Sequence, residues 1–263
     1  MRRRPGGPGL RGAPGRLGLF PRPPRAAGGA GGEGPAPSSE TSAPVYEGMY
    51  GPWTIDGRDR AEVALYRAGL SVSAAGAAGL AAAALTPLEL PVDPLFGCFA
   101  GGLGLSLSLV HMYLADIKKV MQALFAAGAA GYLFLSIAHP EVPAPEFAVD
   151  HPWAIWLVGP LFASLTGLAF KEGMCYGKIE AGYLFFAVPA LLLGHLGFSH
   201  GEVSTLERVT LGANTAAYVV FAARKYTQAV KDDLGDKSVF EFQALSEREQ
   251  ARRLRELGME PQE

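Results

Sequence analysis

The chain has 263 residues, a formal net charge of -2, 49% hydrophobic residues and only 18% charged ones. That charged fraction is low beside the roughly one quarter usual for soluble proteins, and no basic, aromatic-interleaved patch leaves a footprint for nucleic acid. The two cysteines, Cys98 and Cys175, stand outside any Cys-x-x-Cys pair, so neither a zinc ribbon nor a redox motif is on offer.

Residues 1–44 are mostly Gly, Pro, Ala and Arg, with Glu33 and Glu40 as the only acids. They lack the continuous apolar core of a secretory signal, and arginine without acid reads as a disordered, transit-peptide-like leader. Residues 45–67 are expected to form a juxtamembrane segment and the start of the first helix. In that segment Tyr46, Tyr50 and Trp53 suit a membrane interface, and Asp59 with Glu62 three residues on resembles a capping box.

A bilayer core of about 30 Å needs about 20 mostly apolar helical residues. Residues 68–86, 95–115, 120–138, 153–170 and 179–197 supply five such stretches, and the shorter 209–223, with Asn214 inside it, a sixth. Trp153 and Trp156 are expected to anchor the fourth at the interface. The Lys/Arg count of the successive links runs 3, 0, 2, 0, 2, 1, 3, and it alternates cleanly only if the sixth stretch also crosses. The expected fold is an all-α, polytopic membrane protein: a six-helix transmembrane bundle over residues 68–223 with both termini on the same, positive side. Residues 224–263 follow as a soluble, charged helical tail, in which Ser246 and Glu249 cap a surface helix. Gly97-x-x-x-Gly101 and Ala127-x-x-x-Gly131 are expected to bring helix backbones close.

Polar residues sort onto two faces. The basic face gathers His111, Asp116, Lys171, Glu172, Cys175 and Glu180. Two uses of this cluster stand open. In one, Asp116, Glu172 and Glu180 pair with Lys118, Lys171 and Lys178 across helix ends and fix the bundle. In the other, the nitrogen, oxygen and sulfur donors hold a metal or move protons, although the spacing matches neither a di-iron nor a zinc signature. The opposite face collects His139, His151, His195 and His200 among acids and prolines, where a pH-sensing role is conceivable but plain loop histidines explain the pattern.

Phe170-Lys171-Glu172, Cys175-Tyr176, Glu180-Ala181 and Leu193-Gly194-His195 resemble the signature of the uncharacterised integral membrane proteins catalogued as domain of unknown function 2301. His111-x-Tyr113 ahead of Ile117-Lys118 is similar to that family's second-span end. The resemblance covers roughly residues 45–231. It implies a plastid or cyanobacterial type and hence a chloroplast membrane, thylakoid or inner envelope, with stromal termini. It implies no activity, so it brings no catalytic residue and no cofactor. The expected role is a non-enzymatic factor in assembly or stability of a membrane complex, with the lipid bilayer and other plastid membrane proteins as partners. A small-solute or ion transporter or channel is the alternative, and a membrane-bound metal-site protein the second.

Overall fold

The computed structural model describes residues 44–198 and 204–259; the expected leader lies outside them but for Pro44, as do His200 and the last four residues. The described chain opens on a β-hairpin that sequence reasoning did not anticipate. Strands β1 (Val45–Gly48) and β2 (Gly51–Thr54) pair antiparallel, with Gly48 opposite Gly51 around Met49 and Tyr50. Pro52 argues against a strand in the sequence, but a two-stranded ribbon has only edges, where a missing amide costs no ladder bond.

Helix α1 (Gly57–Leu85) starts at Asp56, whose carboxylate accepts from the Asp59 amide while Asp59 accepts from the Asp56 amide, both at 2.9 Å. The box therefore lies three residues earlier than the Asp59–Glu62 spacing suggested, because the hairpin delivers Asp56 in the extended conformation an N-cap needs. Glu62 is left to pair with Arg58 at 2.7 Å. Then come α2 (Val92–Leu109), α3 (Ala115–Ala138), the short α4 (Ala144–Asp150), α5 (Ile155–Tyr176), α6 (Ile179–Phe198) and α7 (Thr205–Arg224). Three short helices close the chain: α8 (Val230–Leu234), α9 (Lys237–Gln243) and α10 (Glu247–Glu256), the last with the Ser246–Glu249 box read from the sequence.

Among the described residues five helices, α1, α2, α3, α5 and α6, are long and apolar enough to cross a membrane. Glu207, Arg208 and Asn214 keep α7 out of that group, yet its 20 residues span about 30 Å at 1.5 Å per residue. It packs between α1 and α6 as a sixth long helix. The segments flanking the bundle meet at one end of it. The Met49 amide donates to Asp236 at 2.6 Å, the Tyr50 amide to Ser238 at 3.0 Å, and the Tyr50 ring stacks on Phe242 at 3.8 Å. A hairpin before α1 and a tail after α7 that touch each other require an even number of crossings between them.

Small residues seat the helices, Gly131 of the expected motifs among them but not Gly97 or Gly101. In the α1–α2 seam a methyl group on Gly69 would meet Ser106 Oγ at 2.6 Å, and one on Gly76 the Phe99 nitrogen at 2.5 Å. Ser73 and Ser106 lock the same seam by donating to the Phe99 and Tyr66 carbonyls at 2.8 and 3.0 Å. Gly97 and Gly101 instead face open space. A four-residue spacing identifies a helix face but not which of two faces is buried, and here Phe96, Phe99 and Leu103 claim the inward one. In α3, Gly128 and Gly131 meet Leu161 and Leu157 of α5, while Ala127 is exposed.

The core runs through all the long helices, and a separate small core, Trp53, Ile55, Val63 and Leu234, lies beneath the hairpin. Trp53 is thus a buried cap residue rather than an interface ring. Trp153, in the turn just before α5, and Trp156, in its first turn, are exposed as an interface position requires.

Candidate functional site

The basic end of the bundle holds a buried charge network assembled from four segments. The last turns of α5 bring Lys171 and Glu172. Gly177, in the left-handed conformation at φ +61°, turns the chain at once into α6 and places Lys178. The turn after α7 supplies Lys225, α8 supplies Asp233, and α1 contributes Tyr66 and Arg67. Glu172 accepts from Lys171 and Lys178 at 3.0 Å each, from Lys225 at 2.6 Å and from the Tyr66 hydroxyl at 3.2 Å. Asp233 accepts from Lys225 at 2.5 Å and from Arg67 at 2.6 Å. Arg67 donates onward to the Gln228 and Ala229 carbonyls, and Lys178 to the Gln228 side chain. The Tyr176 ring lies beneath three ammonium groups at 5.3–5.8 Å, and its hydroxyl donates to the Asp232 carbonyl.

Glu172 and Lys225 are wholly buried, and the other four charged groups are each at least nine-tenths so. Four cations therefore share two carboxylates. Burial pushes the Lys225 ammonium below its ordinary range, against the pull of Glu172 and Asp233. Removing a charge from water is repaid only by close, multiple partners, and these contacts supply them. The network pins the cap to the bundle.

The sequence-predicted residues scatter around it. Lys171 and Glu172 lie at its centre. Glu180 accepts from Arg224 at 2.6 Å, and its other oxygen is buried with no partner among the described residues. His111 sits in the α2–α3 link, 3.6 Å from Glu62 and edge-on to Phe240. Asp116 is exposed and, among the described residues, pairs with Lys119 at 3.2 Å. The Cys175 backbone belongs to the last turn of α5; its side chain lies outside the described residues. The expected partner Lys118 instead caps α2, donating to the Ser108 and Val110 carbonyls at 3.0 and 2.8 Å. Among the described residues no group of three or more His, Cys, Asp or Glu side chains is placed to hold a metal.

Sequence reasoning missed Arg67, Lys225 and Asp233. Arg67 and Lys225 carry a signal in hindsight, since each stands at the edge of an apolar run. Asp233 carries none: nothing in Lys231-Asp232-Asp233 marks which acid turns inward.

The other end of the bundle is hollow. A chamber of about 520 Å³ lies between α1, α2, α5, α6 and α7, with α4 at its rim. Its wall is apolar, including Phe96, Phe99, Phe162, Leu184 and Val188, and its floor includes Tyr218, whose hydroxyl donates to Ser73 at 2.8 Å. Beneath that floor Leu70, Leu103, Leu107, Leu168 and Phe221 are fully packed, so the chamber is blind toward the basic face. Two polar side chains in its wall keep an unpaired atom. His195 Nδ1 bonds Glu207 Oε1 at 2.8 Å while Nε2 has no partner among the described residues. Asn214 donates to the Ala187 carbonyl at 3.2 Å while its Oδ1 likewise has none. A buried polar atom left unpaired costs about 1–3 kcal/mol. The remaining described histidines of this face, His139 and His151, stack on either side of Phe147 at 4.0 and 4.1 Å.

No curated protein and no solved structure matches the chain. One family model does, over residues 105–242, just over half of the 263 residues. The match runs from the second half of α2 into α9 and takes in Lys171, Glu172, Lys178, Lys225 and Asp233, together with the α6 and α7 walls of the chamber. The chain belongs to the family described as uncharacterized integral membrane protein, DUF2301.

Proposed function

We propose that the protein is a non-enzymatic component of a chloroplast membrane, thylakoid or inner envelope, that assists assembly or stability of a membrane complex. The observation that carries this reading is the cap. A hairpin and three short helices, drawn from segments about 180 residues apart in the chain, meet on one end of the bundle, where buried ion pairs to Asp233 hold α8. A rigid, built surface outside the membrane is what a partner protein needs for docking. Its last element, α10, has no buried residue and exposes Arg248, Arg252 and Arg255 beside Glu247 and Glu256. The excess of Lys and Arg in the links at this end supports a stromal cap, and the Arg-rich leader supports plastid import. On this reading the partners are the bilayer and other membrane proteins.

The test is affinity purification from mildly solubilised chloroplast membranes, comparing the full chain with a variant in which Arg248, Arg252 and Arg255 are replaced by Glu. A reproducible set of membrane subunits that the variant loses supports the reading; the same recovery from both chains contradicts it. A small-solute transporter is the second reading. It is favoured by the chamber and by Pro160 and Pro189 inside the helices that wall it, and solute uptake by proteoliposomes would decide for it.

A further inference from the structure

We infer that the chamber holds one tail of a bilayer lipid whose head carries no net charge. Two of its walls are whole helix faces. Val158, Phe162 and Leu165 recur at three- and four-residue spacing on α5, and Leu184, Val188 and Leu191 do so on α6. Such a stripe ordinarily closes on a neighbouring helix, but here both border a space of about 520 Å³. That volume falls within the range of small-molecule sites, about 300–1,000 Å³. Apolar walls give water too few partners to stay, so hydrocarbon is the matter that suits them.

Depth and charge narrow the occupant. Along α7 the lining runs from Arg208 to Tyr218, about 15 Å at 1.5 Å per residue. That is half of a bilayer core of about 30 Å, the depth of one leaflet. The packed layer of Leu70, Leu103, Leu107 and Phe221 stops the chamber there. A blind apolar shaft one leaflet deep suits a lipid tail entering from its own side of the membrane. The mouth is charged. Glu146 and Asp150, one turn apart on α4, and Arg208 of α7 are exposed at the rim with no ion-pair partner among the described residues, while Glu207 is committed to His195 at 2.8 Å. The excess of acid repels an anionic head. A head that is neutral overall fits, since the carboxylates accept from its ammonium or hydroxyl donors and Arg208 donates to its phosphate or hydroxyl oxygens. This site is separate from the cap and does not depend on the assembly reading.

The experiment is photo-crosslinking of the full chain in phosphatidylcholine nanodiscs doped with one of two probes, a phosphatidylcholine or a phosphatidylglycerol, each with a diazirine at the end of the same acyl chain. Labelled residues are located by mass spectrometry and scored against Phe186 and Leu193, which are exposed on α6 and do not line the chamber. The phosphatidylcholine probe should label Phe162, Leu191 and Leu192 of the wall, about threefold more than the phosphatidylglycerol probe does, the scale of an exposed charge interaction. Glu146→Gln combined with Asp150→Asn should erase that preference. Ala77→Phe, deep in the wall, and Ala84→Phe, nearer the mouth, should each abolish labelling of the wall while Phe186 and Leu193 stay labelled, so one folded variant of the two is enough. Labelling confined to Phe186 and Leu193 in the parent chain would overturn the proposal, as would wall labelling that survives a folded Ala77→Phe or Ala84→Phe. Equal or stronger wall labelling by phosphatidylglycerol would also overturn it, and so would a preference that the double substitution leaves intact.

Discussion

Glu172 and Lys225 touch each other at 2.6 Å, yet losing one is not equivalent to losing the other. Without its carboxylate, Glu172→Gln leaves Lys171, Lys178 and Lys225 buried around a neutral amide, with Asp233 the single remaining anion of the network. Breaking a buried pair in this way costs about 3–5 kcal/mol. Lys225→Met keeps Glu172 paired with Lys171 and Lys178, keeps Asp233 paired with Arg67, and relieves a surplus cation. Its cost should be well below that of Glu172→Gln, and thermal unfolding in detergent should rank the two melting temperatures accordingly. His111 gives a second residue-scale prediction. Burial pulls its pKa below the ordinary 6.5, against the attraction of Glu62. Between that lowered value and 6.5 the unfolded chain binds the extra proton, so stability is full above pH 6.5 and falls as pH drops through the window. Limited proteolysis of the tail should accelerate as pH is lowered from 7 toward 5.5, and His111→Phe, which keeps an aromatic ring against Phe240, should remove that dependence. At this scale the sequence was half legible. Lys171-Glu172 stands out because paired charges at the end of an apolar helix need an explanation. The Glu172 partner Tyr66 lies 106 residues away, and Arg67 and Asp233, which extend the network, are 166 residues apart; no local pattern announces a contact made by folding.

At the scale of the elements, the seams test whether close backbone approach holds the bundle. Gly102→Leu pushes a side chain into Gly69 and Ser73 of α1, and overpacking of this kind costs about 1–3 kcal/mol. Gly97→Leu, pointing into open space, should be nearly silent. Purifying both variants and comparing their melting temperatures checks the assignment; equal losses would mean that Gly97 also lies in a seam. The helices themselves were readable because a membrane span is a long-range average over about 20 residues. The hairpin was not, because four-residue strands carry little periodic signal and Pro52 speaks against them. Asp56 escaped for a related reason, since two acid-x-x-acid spacings overlap there and only the chain's entry angle chooses between them.

The described chain from Pro44 onward forms a bundle with unlike ends, one closed by buried charge under the cap, the other opened into an apolar chamber. The alternation of basic and base-free links made that polarity visible before any coordinates, and it admitted α7 where hydropathy alone did not. The chamber was invisible to sequence, since the same alanines, leucines and phenylalanines line a void or fill a core depending on how far apart the helices stand. The central claim is that the described chain crosses the membrane an even number of times, six in this account, with hairpin and tail together. It is tested most directly by single cysteines introduced at Met49, Leu88, Glu141 and Ser246, all exposed, in a chain whose Cys98 and Cys175 are replaced by serine. In sealed vesicles, an impermeant maleimide should modify Met49→Cys and Ser246→Cys from the same side, and Leu88→Cys and Glu141→Cys only from the opposite one. Modification of Met49→Cys and Ser246→Cys from opposite sides would contradict it.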